Sequence, residues 1–284
     1  MLNLKHNDMK TVLVPIDFSE TSDNALFYAT NLATDLFANL ILLHVNSIPV
    51  YNNEYNILPY TVNDSLEIGL NSLKEKVNLL KEKFDFKGNV ECFVEIGDLK
   101  SVVFDFINKK TIDLIVMGIT GQETAIEKVL FGSNAVSISR ESSIPVFIIP
   151  KTYLYKDIKS IAYACEYDVN VTEQSGLQQI KNISNLFNAS LSVLHVIPDF
   201  HLMNEIESET DLFIEQNLEK TSHKTFILSE NRPSTALLDF IKTHGVDVIV
   251  LEQKKHSFIH KLIYPSTTKE VAFSSPIPVL TIHS

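Results

Sequence analysis

The sequence predicts an α/β protein built from two tandem domains, each of them a five-stranded parallel sheet flanked by helices. Two observations in the 284 residues lead to this fold class. Short β-branched apolar segments alternate with longer amphipathic segments, which is the pattern of successive βαβ units. The whole pattern then occurs a second time with matching motifs in the same order, as expected of a duplicated domain.

Three short motifs carry the duplication. In the first half and then the second, they are Leu-His-Val at 43–45 and 194–196, Asp-Leu/Val-Ile-Val at 113–116 and 247–250, and Ser-Ile-Pro-Val from Ser143 against Ser-Pro-Ile-Pro-Val from Ser275. Three matches in one order are unexpected by chance. The seam between the copies falls in the connector 150–156, and we therefore predict domains at residues 1–152 and 153–284.

The elements of the first domain follow from its apolar periodicity. Between the first two strands, Ala25, Ala29 and Leu32 lie at spacings of three and four, which predicts a helix packed on a sheet. Consecutive apolar residues within the strands indicate burial on both faces, as in a parallel sheet. In chain order the predicted strands are 11–16, 39–45, 89–95, 112–117 and 145–149, and the predicted helices are 23–37, 62–84, 99–109 and 134–139. This alternation predicts right-handed crossovers and a doubly wound sheet.

The second domain repeats these elements over a shorter stretch. It lacks the counterpart of the loop 46–64 and of part of the helix that follows this loop. Its predicted strands are 160–164, 190–196, 225–228, 246–251 and 278–282.

The composition excludes several classes of protein. Hydrophobic residues make up 45% of the chain and charged residues 21%, which excludes a disordered chain. The net charge of −11 argues against a nucleic-acid partner, because such binding needs clustered Lys and Arg. Two cysteines without CxxC or metal-ligand spacing exclude a disulfide scaffold and suit a reducing compartment. Since the sequence has no signal-peptide core and no membrane-spanning apolar stretch, we expect a cytoplasmic protein without a membrane partner.

The loop after the fourth strand has the strongest signs of a ligand site. Doubly wound sheets bind ligands at the carboxyl ends of their strands, and here Gly118-Ile-Thr-Gly121 is followed, ten residues later, by Gly132-Ser133-Asn134 opening a helix. Glycines let a backbone approach a ligand, and the first amides of a helix bind anions. A phosphate cradle and a plain turn with a helix cap remain equally open. A P-loop and a GxGxxG motif after the first strand are both absent from the sequence.

The first strand ends in Pro15-Ile16-Asp17-Phe18-Ser19. The Asp17 carboxylate can accept a hydrogen bond from an adenine amino group or a ribose hydroxyl. Asp17 and Ser19 also serve well as helix N-caps. Taken by itself, this segment favours the cap.

Together these segments resemble the universal stress protein family, in the version with two domains in one chain, from Lys10 to Ile282. The resemblance implies Rossmann-like, adenine nucleotide alpha hydrolase-like domains. Nucleotide-binding members use the signature Gly-x2-Gly-x9-Gly-Ser/Thr for ATP, which implies one ATP site, with or without Mg²⁺, in the first domain. Carried over by motif, the positions around adenine and ribose are Pro15, Ile16 and Asp17, with Val45 lining the adenine pocket through its backbone. The positions that hold ribose and phosphates are Met117, Gly118, Gly121, Gly132, Ser133 and Asn134.

One departure from the family pattern lies inside the signature of the first domain. The interval between Gly121 and Gly132 holds ten residues rather than nine. A loop absorbs one more residue at little cost, but the insertion can also move Ser133 out of reach of a phosphate.

The second domain departs from the signature much further. Glu252 and Lys255 stand where the two leading glycines belong, and Pro-Ser-Thr at 265–267 replaces Gly-Ser-Asn. Side chains then stand where amides face phosphates, and Pro265 has no amide hydrogen. We therefore expect a degenerate second domain that does not bind ATP as the family does.

Two functions remain open from the sequence. The first is an ATP-binding stress-response or regulatory protein with at most slow ATP hydrolysis, because neither a P-loop lysine nor a general base is identifiable. The second is an interaction scaffold of the same fold without a nucleotide. In both, the resemblance implies that the last strands, 145–149 and 278–282, pair with each other and make the chain an intramolecular pseudo-dimer. A further homodimer stays open.

Overall fold

Strands and helices alternate through both halves of the computed structural model, which describes residues 10–46, 62–120, 133–165, 175–197, 214–215, 217–219, 221–230, 232–253 and 265–283. The first half contains β1 (Thr11–Pro15), α1 (Glu20–Asp35), β2 (Asn39–Asn46), α2 (Val62–Phe84), β3 (Val90–Ile96), α3 (Leu99–Lys109), β4 (Leu114–Ile119), α4 (Ser133–Glu141) and β5 (Val146–Pro150). The second half contains β6 (Ser160–Cys165), α5 (Ser175–Phe187), β7 (Ser190–Ile197), β8 (His223–Ser229), α6 (Pro233–His244), β9 (Val248–Gln253), α7 (Pro265–Ser274) and β10 (Val279–His283). The predicted α/β class is confirmed.

The ten strands of the described residues belong to one sheet, in the order β3-β2-β1-β4-β5-β10-β9-β6-β7-β8. Neighbouring strands within each half are parallel. The last strands of the two halves, β5 and β10, pair antiparallel, with Leu280 opposite Phe147. Each half therefore has the same strand order, and the two halves meet along their last strands.

Helices cover both faces of this sheet. On one face, α1, α2 and α5 contribute buried residues such as Leu26 and Ile180. On the other face, α3, α4, α6 and α7 contribute residues such as Val103 and Leu237. Each of these two clusters contains residues of both halves, so the apolar core continues across the seam.

The first helix starts at Glu20, and the prediction that it starts at residue 23 is wrong. Ser19 is the N-cap, because its hydroxyl accepts a hydrogen bond from the backbone N–H of Ser22 at 3.2 Å. Such a bond satisfies one of the free amides in the first turn of a helix. Apolar periodicity could not register this turn, since it begins with polar residues.

The repeated aspartate motif has the same structural role in both halves. Asp113 accepts hydrogen bonds from the backbone N–H groups of Lys10 and Thr11, both at 2.9 Å. Asp247 accepts the equivalent pair from Lys159 and Ser160, also at 2.9 Å. Each carboxylate thus fixes the start of the neighbouring central strand, β1 or β6.

The repeated serine motif is shifted by one residue from the predicted match. The equivalent residues are Ser142 and Ser275, and not Ser143 and Ser275. The hydroxyl of Ser142 donates to the carbonyl of Ile144 at 2.8 Å, and Ser275 donates to Ile277 at 2.7 Å. These identical turns bring the chain into β5 and β10.

A side-chain amide closes the last strand of each half in the same way. Asn24 on α1 donates to the carbonyl oxygen of Pro150 at 3.0 Å. Gln179 on α5 donates to the carbonyl oxygen of His283 at 2.8 Å. Helix and strand are therefore joined at equivalent positions although the two side chains differ in length.

The connector between the halves packs on the first half and touches the second. The Tyr155 ring meets Tyr28 of α1 edge-on with centroids 5.0 Å apart, and its hydroxyl donates to Asp35. Lys156 forms an ion pair with Asp247 at 2.7 Å. These contacts hold both ends of the connector.

Candidate functional site

A cavity of about 320 Å³ opens at the carboxyl ends of β1, β2 and β4 in the first half. This volume falls within the range of small-molecule pockets. The sequence-predicted residues that line the cavity are Pro15, Ile16, Asp17, Val45, Met117, Gly118 and Asn134. Residues from three strand ends and one helix therefore meet around one space.

The end of β1 supplies a fixed carboxylate. Asp17 Oδ1 accepts hydrogen bonds from the backbone N–H of Ser19 at 3.0 Å and from its hydroxyl at 2.6 Å. Burial acts to raise the pKa of the Asp17 carboxyl, but the hydrogen bonds from Ser19 outweigh burial and the pKa lies below its usual value. Asp17 therefore lines the cavity as an ionised acceptor, and its hydrogen bonds to Ser19, the N-cap of α1, hold it in place.

His44 holds the turn that follows β1. Its Nδ1 lies 2.7 Å from the carbonyl oxygen of Ile16, and its Nε2 lies 2.9 Å from Oδ1 of Asn46. Its ring also packs against Phe18, whose φ of 63° is uncommon for a bulky residue. His44 is thus held by a backbone carbonyl and in turn holds the segment after β1.

Gly118 at the end of β4 lies directly under α1. A Cβ atom at this position would be 2.4 Å from the carbonyl oxygen of Thr21. No side chain fits at such a distance, so the close approach of α1 and β4 requires glycine whether or not a ligand is present. Variants of Gly118 therefore disturb packing as well as the cavity.

The N-terminus of α4 forms another wall of the cavity. The helix begins at Ser133, and Asn134 and Ala135 line the cavity. The first amides of a helix have no partner within it and carry partial positive charge. Gly121 and Gly132 lie outside the described residues. For Ser133 only the backbone position at the helix start is described.

The loop after β3 contributes residues that sequence reasoning missed. Gly97, Asp98 and Leu99 also line the cavity. Asp98 caps α3 by accepting hydrogen bonds at Oδ2 from the backbone N–H of Ser101 at 3.0 Å and from its hydroxyl at 2.9 Å. These bonds lower the pKa of Asp98 below its usual value. The signal that could have found it is its place immediately after a strand of the sheet.

The charge of the cavity wall is negative. Of the described residues that line it, Asp17 and Asp98 are charged, and none is lysine, arginine or histidine. An anionic group of a ligand would therefore be held by backbone amides, hydroxyls and the N-terminus of α4. Ligand groups close to the two carboxylates need N–H or O–H donors.

A model of the universal stress protein family matches residues 9–150 and 167–283. The chain belongs to the universal stress protein family. The two matched segments show that this universal stress protein has the tandem arrangement predicted from the sequence.

Relatives with one and with two domains are similar to this universal stress protein. A universal stress protein of Synechocystis sp. is 24% identical over 302 aligned residues, covering 96% of this chain and 99% of the relative. One from Methanocaldococcus jannaschii is 27% identical over 150 residues, covering 51% of this chain and 84% of the relative. The crystal structure of one from Archaeoglobus fulgidus has the same fold over 97% of this chain and 99% of its own, with a TM-score of 0.71 and 18% identity.

The second universal stress protein repeat has a buried carboxylate where the first has Gly118. Glu252 occupies the equivalent strand position, is 7% exposed, and accepts a hydrogen bond from the Tyr163 hydroxyl. The helix residue facing it is Gly176, where a Cβ atom would lie 2.1 Å from Glu252 Oε1. Gly176 stands at the position equivalent to Thr21. The larger residue of the contact is therefore on the helix in the first repeat and on the strand in the second.

Other described positions of the second repeat also differ from their counterparts in the first. Helix α7 begins at Pro265, which has no N–H to offer at this helix start. Burial lowers the pKa of His195, the counterpart of His44, to about 4, so its imidazole is neutral at neutral pH. Lys255 lies outside the described residues. The absence of an ATP site in this half stays a prediction.

The described part of the chain contains neither a candidate membrane span nor a candidate metal site. Among these residues, no helix is both long and apolar enough to cross a bilayer. The same residues contain no group of three or more His, Cys, Asp or Glu side chains placed to hold a metal ion.

Proposed function

We propose that this universal stress protein is a cytoplasmic regulatory protein that binds one ATP molecule, with or without Mg²⁺, in the cavity of its first half. The observation that carries the proposal is a convergence of independent positions. Seven of the ten residues carried over from the family resemblance line the same cavity. Of the other three, Gly121 and Gly132 lie outside the described residues, and only the backbone of Ser133 is described. Pro15 and Asn134 are remote in the sequence and meet at the carboxyl ends of the strands, where doubly wound sheets bind their ligands.

The residues present suit the parts of an adenine nucleotide. The backbone at Val45 and the carboxylate of Asp17 offer acceptors for the base and the sugar. The N-terminus of α4, which has no acidic residue in its first turn, suits the phosphates. Mg²⁺, when bound, would offset the negative charge of the phosphates.

We further propose that binding, and not turnover, is the activity of this site. A general base works best when its pKa lies near the working pH. The carboxylates that line the cavity, Asp17 and Asp98, have pKa values below their usual range and are weak bases at neutral pH. The bound nucleotide would therefore act by stabilising the state that binds it.

Thermal unfolding with ATP, ADP and AMP, each with and without Mg²⁺, tests the proposal. A ligand present at one hundred times its Kd adds about 2.7 kcal/mol to the free energy of unfolding. For a domain of this size, that free energy corresponds to a rise in Tm of roughly 5–10 °C. Calorimetric titration is expected to give one ATP per chain.

Variants on α4 provide the matched control. Asn134→Trp places a large side chain at the cavity wall and is expected to abolish the ATP-dependent rise in Tm. Arg140→Trp adds the same side chain to an exposed position near the other end of α4 and should leave the rise unchanged. A native protein whose Tm does not respond to any of these nucleotides would contradict the proposal and favour the interaction scaffold.

A further inference from the structure

Asp98 has one carboxylate oxygen in use and one available. Its Oδ2 accepts both hydrogen bonds from Ser101, and this fixes the side chain at the N-terminus of α3. Its Oδ1 accepts no hydrogen bond from any residue in the described part of the chain. The residue is exposed and lines the cavity, so a ligand can reach the available oxygen.

Three helix N-termini border the cavity, and those of α3 and α4, which lie farthest apart in the sheet order, differ in charge. The N-terminus of α3 is capped by the Asp98 carboxylate, whereas α4 has no acidic residue in its first turn. In the sheet order, β3 and β4 are separated by β2 and β1, which places their ends about 14 Å apart at the usual strand spacing. A long ligand with one anionic end and one uncharged end is therefore expected to bind in one orientation, with its anionic end at the N-terminus of α4.

We infer that Asp98 is a specificity-determining residue of the cavity, where Oδ1 accepts a hydrogen bond from an N–H or O–H donor on the nucleoside part of the ligand. The inference rests on the proposed function, which supplies the nucleotide. The residues implied by the family resemblance include none from the loop after β3. Asp98 accepts a hydrogen bond from a donor at its own end of the cavity. Its negative charge also repels phosphates, which favours their binding at α4.

Asp98→Asn tests this contact while keeping the helix cap. Ser101 donates two hydrogen bonds, so the amide oxygen of the asparagine must take the place of Oδ2. The NH₂ group then stands in the place of Oδ1 and offers a donor where the ligand needs an acceptor. Because asparagine is as good an N-cap as aspartate, Tm without ligand should change little.

The expected result is a loss of affinity for both ATP and adenosine by about tenfold to a hundredfold, the range for a hydrogen bond to a charged group. Adenosine is included because it lacks phosphates. If Asp98 acted only by repelling phosphates, Asp98→Asn would tighten ATP binding and leave adenosine unchanged. Calorimetric titration of the full chain with both ligands separates these cases.

Three ATP analogues identify the donor. They are 2′-deoxy-ATP, 3′-deoxy-ATP and the triphosphate of purine riboside, which lacks the 6-amino group. The native protein should discriminate against the analogue that lacks the donor, and Asp98→Asn should lose this discrimination. A loss of affinity in Asp98→Asn that couples to none of the three analogues would overturn the inference.

Asp105→Asn is the control for net charge. Asp105 lies on the same helix, is not among the residues that line the cavity, and pairs with Lys109, so its substitution should leave affinity within about twofold. Unchanged or tighter ATP binding by Asp98→Asn overturns the inference and leaves the proposed function standing. If the native protein binds neither ATP nor adenosine, both are overturned.

Discussion

Gly118 and Gly176 occupy opposite sides of the same helix–strand contact in the two halves. In the first half the strand residue is glycine and the helix residue is Thr21, whose carbonyl oxygen leaves no room for a Cβ. In the second half the strand residue is Glu252 and the helix residue is glycine. The side-chain volume at this contact therefore lies on the helix in the first half and on the strand in the second. As a result, the second half has a carboxylate buried beneath the start of α5.

The exchange predicts a coupled effect on stability. Gly176→Ala should lower the free energy of unfolding by about 1–3 kcal/mol, because the added Cβ overpacks the contact with Glu252. In a Glu252→Ala background the same substitution should be neutral or stabilising by up to about 1 kcal/mol, since alanine favours a helix over glycine. Urea denaturation of the four proteins of this double-mutant cycle measures the difference.

Glu252→Gln serves as the control because it keeps the side-chain volume. The loss caused by Gly176→Ala should persist in that background. Equal effects of Gly176→Ala in the native and Glu252→Ala proteins would contradict the proposed contact.

At the scale of elements, the central strand of each half is held at its start by a carboxylate from the next strand in the sheet. Asp113 precedes β4 and binds the first amides of β1, and Asp247 precedes β9 and binds those of β6. Amides at the start of a strand that have no other partner are costly to bury. The repeated sequence motif is therefore explained by strand entry and has no role at the cavity.

Removal of this contact should destabilise the first half. Asp113→Ala leaves two backbone N–H groups without their acceptor, and the expected loss in the free energy of unfolding is about 2–4 kcal/mol. Asp239→Ala on α6 removes a carboxylate that is exposed and pairs with Lys242, and should change stability by less than about 0.5 kcal/mol. Chemical denaturation measures both. Similar losses in the two variants would contradict the role of Asp113.

At the scale of the whole molecule, the ten-stranded sheet and both apolar clusters run through the two halves. The seam is closed to solvent at Thr281 of β10, which is fully buried. Its hydroxyl lies 3.4 Å from the carbonyl oxygens of Ser139 and Val146 in the first half. Shared cores of this kind favour unfolding of the chain as one unit. A fixed pseudo-dimer in solution is the matching prediction.

Cooperative unfolding across the seam can be measured with probes in the native chain, which has nine tyrosines and no tryptophan. Circular dichroism and tyrosine fluorescence should give coincident transitions. Thr281→Asp buries an unpaired charge and should lower the free energy of unfolding by about 3 kcal/mol or more and separate the transitions. Thr152→Asp, in the exposed part of the connector, should change neither. Two transitions in the native protein would contradict this prediction.

The sequence by itself determined the α/β class, the duplication and the order of the elements. Apolar periodicity and turn residues are local properties, and they place strand ends to within a few residues. The rule that ligands bind at these ends was enough to select Asp17 and Gly118 as candidates for the cavity wall. A resemblance in short motifs was enough to predict the family.

Only the tertiary structure decided which residues share a wall or a contact. It added Asp98 to the cavity, assigned the cap of α1 to Ser19, and matched Ser142 with Ser275. It also showed that Gly118 is required by Thr21, a residue almost a hundred positions away in the chain. The Ser19 cap and the Ser142 turn are local hydrogen bonds that apolar periodicity does not register. The place of Asp98 in the cavity and the contact of Gly118 with Thr21 depend on distances between segments remote in sequence, which are set by how helices pack on the sheet.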